Sequence, residues 1–350
     1  MKTKVLTLLL MPFYCLAQIP SYYSSVDFSQ TGDALKVQLT QLITATHTNV
    51  LPYTSNSTTD VWTALKQTDL DPNDPTKVLL IYGFDDTDAI TSNDRTRSKD
   101  LSCHTSSCNG LWVREHTYAR SLGTPNLEFI NAGSDAHHLR SIDSQMNNTR
   151  SNRPFTAGSG NAHTVGTQYF YPGDEWKGDV ARMMMYMYVR YPTQCLPSAI
   201  GSGSTSYSNF GDMYNIFLEW NAEDPVSAYE MNRNNILQTL QGNRNPFIDN
   251  PHLATIIWNG PVTTDSWNVL NVTENSLNAI VLYPTITTDY VHINNPAHET
   301  FSYVIYNMMG QEIKSGTTED VIDVTNNTKG LYLINLRNQN QQKTFKVILK

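Results

Sequence analysis

The chain has 350 residues, of which 39% are apolar and 16% charged, with a net charge of −8. This length suits two domains rather than one and supplies a sizeable core. The acidic balance excludes a general nucleic-acid-coating surface, and the low charge with abundant Ser, Thr, Asn and Tyr suits a secreted protein.

Two lysines, the apolar run Val5 to Phe13 and a small residue, Ala17, open the chain. The pattern predicts a secretory signal peptide over residues 1–17, too short to span a bilayer as a permanent helix. No other stretch is long and apolar enough to span, so no integral membrane segment is expected after cleavage. Apolar positions Leu35, Val37, Leu39, Leu42 and Ile43 after Thr31 predict an amphipathic helix. Val61 to Asp69 predicts a second, short one. Lys77 to Phe84 predicts a strand, and the segment from Leu111 to Tyr118 another. From Ser141 a helix is expected, with Ser141 as N-cap, Asp143 in the first turn and the body from about Ile142. Asp179 to Tyr191 is apolar almost all round and predicts a buried helix whose methionines fill core. Asn215 to Asp249 reads as two helices and a loop.

Near residues 271–278 the texture changes to short alternating strands between turn residues. These predict a small antiparallel sandwich over 277–350. This tail shows no helix and no cluster of acid, base or nucleophile, and reads as a binding or sorting module.

The mature chain keeps Cys103, Cys108 and Cys195. In an oxidising compartment Cys103 and Cys108 can close a small disulfide loop, and a zinc site with His104 fits the spacing less well.

Charge is unevenly placed. Residues 91–155 carry eight Lys/Arg against six Asp/Glu, or +2, whereas residues 1–90 hold five against nine and residues 156–276 five against eleven. Seven of those eight cations are arginines, suited to bidentate phosphate contact. The same segment holds Glu115-His116, the pair His137-His138 and asparagines 147, 148 and 152. Phosphodiester hydrolysis needs a base for water, a cation for developing charge and a grip on the backbone. His116 suits the first, Glu115 with an asparagine suits a hard divalent cation, and the arginines suit the third. A Glu–His pair alone carries no assignment, and the asparagines alone read as turn formers.

Taken in order, Trp112-Val-Arg-Glu-His116, Asp135-Ala-His-His-Leu139 and Met146-Asn-Asn-Thr-Arg-Ser-Asn152 resemble the bacterial endonuclease I family, secreted or periplasmic nucleases with a ββα-metal (His-Me finger) site. The likeness continues through Lys177 to Tyr191 and on to Asp249, covering roughly residues 20–260. It implies an α+β fold, with a mostly helical nuclease domain over 18–272 around a ββα-metal core, followed by the all-β sandwich. It implies His116 as general base and Glu115 with Asn147 as ligands of one divalent metal, Mg²⁺ foremost, with Ca²⁺ or Mn²⁺ open. Arg140 and Arg150 are candidate catalytic phosphate contacts. Arg114, Arg120 and Asn152 are candidate substrate contacts, and His137 braces the site. Neighbours on a regular strand face opposite ways, so an irregular strand end is expected at 114–117. The substrates implied are DNA and RNA, without sequence specificity, acted on by a monomer.

The tail runs Val281 to Ile293, Tyr306 to Ile313, Ile322 to Leu336 and Lys343 to Lys350 resemble the type A sorting domain of type IX secretion. This implies export across the outer membrane by that machinery, to the medium or the cell surface. The rival readings are a surface-binding protein on a degenerate nuclease scaffold and a metal-dependent phosphoesterase acting on small substrates.

Overall fold

The computed structural model describes residues 19–105, 107–267, 280–295, 300–338 and 341–350. The expected signal peptide and the expected junction at 271–278 lie outside the described residues. The chain divides into two compact units, Met1–Val269 and Leu270–Lys350.

The first unit is mainly helical. Its helices are α1 (Gly32–Thr46), α2 (Val61–Thr68), α3 (Ser144–Arg150), α4 (Lys177–Arg190), α5 (Pro197–Ile200), α6 (Asn215–Glu223), α7 (Ala228–Gln241), α8 (Pro246–Asp249) and α9 (His252–Trp258). Its strands form three small antiparallel sheets. They join β1 (Leu70–Asp71), β2 (Asp74–Leu79) and β3 (Thr96–Ser98); β4 (Trp112–His116) and β5 (Leu139–Asp143); and β6 (His163–Val165) and β7 (Tyr169–Tyr171).

Helix α4 is the axis of this unit. Every residue from Gly178 to Val189 is buried, and Met183, Met184, Met185 and Met187 all belong to the main core. A fully buried methionine contributes about 1.5–3 kcal/mol, so core packing accounts for the run. Arg182, at the centre of α4, is tolerated there because Glu230 of α7 accepts from its Nε at 2.6 Å and its Nη2 at 2.9 Å. The same Glu230 closes a capping box with Ser227 at the start of α7. Gly242 ends α7 at φ +96°, where a Cβ would sit 2.3 Å from the Thr46 carbonyl oxygen, so glycine is needed twice over.

Three expectations are corrected. The strand beginning at Lys77 ends at Leu79, because β3 pairs only with Lys77 to Leu79; Ile81 N–H turns to the Ser141 carbonyl and Tyr82 takes φ +69°. Ser141 is not a helix cap but a buried residue of β5, paired with Arg114. Asp143 is the cap of α3, its Oδ1 accepting from Gln145 N and Met146 N, and the helix body starts at Ser144.

The described residues of the second unit form strands, turns and loops only. One sheet orders β13 (Val321–Asp323), β10 (Tyr290–Asn294) and β8 (Val281–Tyr283). The other orders β12 (Glu312–Thr318), β11 (Phe301–Asn307), β14 (Gly330–Asn338), β15 (Gln341–Leu349) and β9 (Ile286–Thr287). Alternate residues such as Val291, Ile293, Phe301, Tyr303 and Ile305 build its own core. The sandwich is not wholly antiparallel as expected: β9 pairs parallel with β15. Among the described residues no helix is long and apolar enough to cross a membrane.

Candidate active site

Strands β4 and β5 pair in unbroken register from Trp112 opposite Asp143 to His116 opposite Leu139. The Asp143 cap then turns the chain directly into α3, so two strands and a helix come from one short run of sequence. Arg97 Nη1 donates to the other oxygen of Asp143 at 2.5 Å and anchors the turn. The expected irregularity does not fall within 114–116; β4 simply ends at His116.

At that end lies a cavity of about 390 Å³ lined by Arg114, Glu115, His116, Ala119, Arg120, Ser121, Asn147, Ser151 and Asn152. The structure therefore brings together Glu115 and His116 from β4 with Asn147 from α3. Glu115 is 2% exposed and His116 half-buried. The Asn147 amide has no hydrogen-bond partner among the described residues and is free to offer its oxygen to the cavity.

His116 Nε2 lies 2.9 Å from the Gly133 carbonyl oxygen. A carbonyl can only accept, so Nε2 carries the proton and Nδ1 keeps the lone pair of the neutral ring. Burial holds the imidazole well below its usual range, and the neighbouring His138 ring reinforces this. The neutral ring is thus favoured, with its lone pair on Nδ1. Gly133 approaches so closely that a Cβ would fall 1.6 Å from the Glu128 carbonyl oxygen, so no other residue fits without moving the carbonyl that orients His116. Tyr53 stacks on the same ring, centroids 5.4 Å apart.

Burial pushes the Glu115 carboxyl up to about 7, against the pull of Arg150 and a hydrogen bond from the Tyr82 hydroxyl at 3.2 Å. Arg150 Nε lies 3.3 Å from the carboxylate, within ion-pair reach but too poorly aligned for a hydrogen bond. One poorly aligned cation does not fully offset the cost of burying this charge, so the carboxylate can take a further positive partner. A carboxylate beside a neutral amide oxygen fits a hard divalent cation that keeps most of its waters. Among the described residues no cluster of three or more His, Cys, Asp or Glu side chains is placed to hold a metal ion.

Two arginines expected at the phosphate do not reach it. Arg140 is fully buried: Nη1 donates to Asp179 at 3.0 Å, Nη2 to the Tyr229 hydroxyl at 2.9 Å, and Nε lies 3.6 Å from Asp69. It ties β5 to α4 and α7, together with Arg233, which donates to Asp69 and to the Ala136 and Leu139 carbonyls. Arg150 is also fully buried, donating to the Thr117 and Ser151 carbonyls at 2.7 and 2.8 Å. Its role is to hold Glu115 and the chain at the end of β4. Sequence spacing cannot separate a buried arginine from one in a cleft.

The cleft arginines are Arg114 and Arg120. The Arg114 guanidinium stacks 3.4 Å over Tyr53 and 4.1 Å over Trp62, and Arg120 lies 3.6 Å over Phe129. Aromatic faces help hold both cations, with Arg114 Nη1 donating to the Tyr53 carbonyl and the Thr54 hydroxyl and Arg120 Nε to the Leu127 carbonyl; the remaining guanidinium donors are left for a ligand. Asn152 lies at the same rim and donates to Ser121 at 3.2 Å. His137 is buried away from the cavity, Nε2 facing the Asn243 carbonyl at 3.3 Å; it braces the interior rather than the site. His138 turns the other way, to the Ala132 carbonyl at 2.8 Å. Cys103 and Cys108 form a disulfide, leaving Cys195 as a buried free thiol. His104 packs on Trp62 rather than joining a metal site.

Tyr82, Gly133, Tyr53 and Phe129 escaped sequence reasoning. Only Gly133 carried a signal, as a glycine two residues before the Asp135 run.

An acid, a base and an amide meet here at the end of a strand–strand–helix unit, beside two cations. Residues 31–252 match the endonuclease I family. The chain belongs to that family and is a nuclease, a hydrolase of nucleic acid. It is similar to the extracellular ribonuclease of Bacillus subtilis (strain 168), 38% identical over 255 residues that cover 69% of this chain and 80% of the relative. It is likewise similar to the extracellular ribonuclease of Bacillus amyloliquefaciens, 37% identical over 255 residues that cover 69% and 79%. Residues 281–350 match a secretion system C-terminal sorting domain. The protein is accordingly a secreted one.

Proposed function

We propose that this protein is a divalent-metal-dependent endonuclease that cuts RNA and DNA without sequence specificity. The observation that carries the reading is the single cavity uniting Glu115, His116 and Asn147 with Arg114 and Arg120 at its edge. His116 Nδ1 takes a proton from the attacking water while Gly133 holds the ring and receives the Nε2 hydrogen bond. Glu115 and Asn147 hold one cation, Mg²⁺ in the first instance. When bound, that ion offsets charge on the scissile phosphate and on the leaving 3′ oxygen. Arg114 and Arg120 grip phosphate oxygens. Arg150 acts one step back, through the carboxylate it positions.

A grip through phosphate oxygens implies binding that is salt-dependent and indifferent to sequence. The tail directs export through type IX secretion and takes no part in the chemistry, and the enzyme works as a monomer. The family's activity on RNA is supported by the names of the two relatives. Digestion of plasmid DNA and of long RNA by the purified mature protein, with and without EDTA, tests the reading. Cleavage of either that resists EDTA overturns the metal, and cleavage of neither favours a degenerate scaffold or a small-substrate phosphoesterase.

A further inference from the structure

Beside the catalytic cavity runs a second groove of about 530 Å³, lined by Val50, Leu51, Pro52, Tyr53, Thr54, Phe129 and Ile130. Its volume lies in the range of small-ligand sites, roughly 300–1,000 Å³. Its exposed wall is unusually apolar for a surface loop: Phe129 is 51% and Ile130 58% exposed. Both sit in the loop that also carries Gly133.

The groove is continuous with the cleft through shared side chains. Tyr53 lines the groove and also stacks on His116 and on the Arg114 guanidinium. Phe129 lines the groove and carries Arg120. Its ring centre is 6.4 Å from that of His116 and 4.5 Å from that of Tyr53. A polyanion held by Arg114 and Arg120 therefore passes alongside an apolar slot, within one nucleotide of the base that activates water.

We propose that this groove receives an unpaired nucleobase of the strand being cut, so that the enzyme prefers single strands to duplex. The proposal rests on the nuclease reading and extends it to the form of the substrate. The chemistry of the pairing is complementary: a strand offers alternating phosphates and flat apolar faces, and the surface offers cations beside an apolar wall. Sequence-tolerant grip on single strands combines a cationic track for the backbone with side chains that contact base faces. In a duplex the faces are stacked on their neighbours and only edges are presented, so the groove gains nothing. The preference is for unpaired RNA and DNA alike, because contact of a base face with an apolar wall does not depend on the sugar.

The test reads binding without cleavage, in the His116→Ala background with EDTA at physiological salt. The probes are a fluorescent single-stranded decanucleotide, a set of the same strand with one abasic position moved along it, and the matching duplex. One abasic position is expected to weaken binding about tenfold or more, against little effect elsewhere. Adding Phe129→Ala or Ile130→Ser should shrink that abasic penalty, and Phe129→Trp should restore it. The salt slope should be the same for intact and abasic strands, because the phosphates are unchanged. Equal affinity for every abasic strand, a penalty that survives both substitutions, or duplex binding as tight as single strand would each overturn the proposal. Ile130→Ser removes a mostly exposed side chain, so it reports even if Phe129→Ala disturbs Arg120. Failure of the nuclease reading shows separately, as absence of plasmid and RNA cleavage by the wild-type protein, and leaves this binding result to stand or fall on its own.

Discussion

Two sets of arginines flank strand β5, and they do opposite work. At the cleft, Arg114 and Arg120 are half-buried, and each stacks on aromatic faces that hold it in place. Behind the strand, Arg140, Arg150 and Arg233 are fully buried; their Nη donors are engaged by Asp69, Asp179, Tyr229 and backbone carbonyls, and Arg150 pairs electrostatically with Glu115. The first set can change partners when a substrate arrives. The second cannot, because breaking a buried pair leaves an uncompensated charge in a medium that solvates it poorly. A positive segment in a sequence thus mixes cations that bind with cations that brace.

The sharpest way to break the comparison starts at the base between the two sets. His116→Ala should lower kcat by about 10²-fold or more while the melting temperature stays near wild type; unchanged plasmid or RNA cleavage would remove His116 as the base. Next in size, Arg140→Ala should cost about 3–5 kcal/mol of stability, read by denaturant unfolding. If instead it unfolds like wild type but loses kcat alone, Arg140 touches substrate after all. Arg120→Ala is expected to leave stability within about 0.5 kcal/mol. It should reduce the slope of log affinity against log salt by about 1, as loss of one phosphate contact does; an unchanged slope would take Arg120 out of the grip.

A separate, pH-dependent effect concerns Glu115 in the metal-free protein. Its folded carboxyl titrates at about 7 against an ordinary 4.5, so the folded state holds the proton more tightly than the unfolded chain. The contribution to stability is full below about 4.5 and is lost as pH rises to about 7. Without metal, Glu115→Gln should therefore gain in melting temperature relative to wild type across that window, and added Mg²⁺ should raise only the wild type. A difference that does not change with pH would mean that Arg150 compensates the charge fully.

Much of the fold was legible. The buried helix α4, the amphipathic α1 and the start of β4 all follow from apolar period and turn residues, which act locally. The site was legible in part. Glu115, His116 and Asn147 sit in motif runs whose order carries the family likeness, and all three line one cavity. Arg140 and Arg150 sit in the same runs and face inward. Nothing local distinguishes them, because their partners Asp179, Tyr229 and Glu115 are 39, 89 and 35 residues away in the chain. The cap of α3 was misplaced by two residues because Ser141 and Asp143 are both good caps. Pairing of β5 with β4 through Asp143 decides between them.

By itself the sequence determined which residues could supply a base, a metal ligand and a sorting tail, since these depend on side-chain chemistry and short-range pattern. Only the tertiary structure decided which cations line the cleft and which are buried, which carbonyl fixes the proton on His116, and that an apolar groove lies beside the cleft. Those are properties of burial and of contacts between distant segments, and a side chain's charge, tautomer and reach are set by what the fold packs against it.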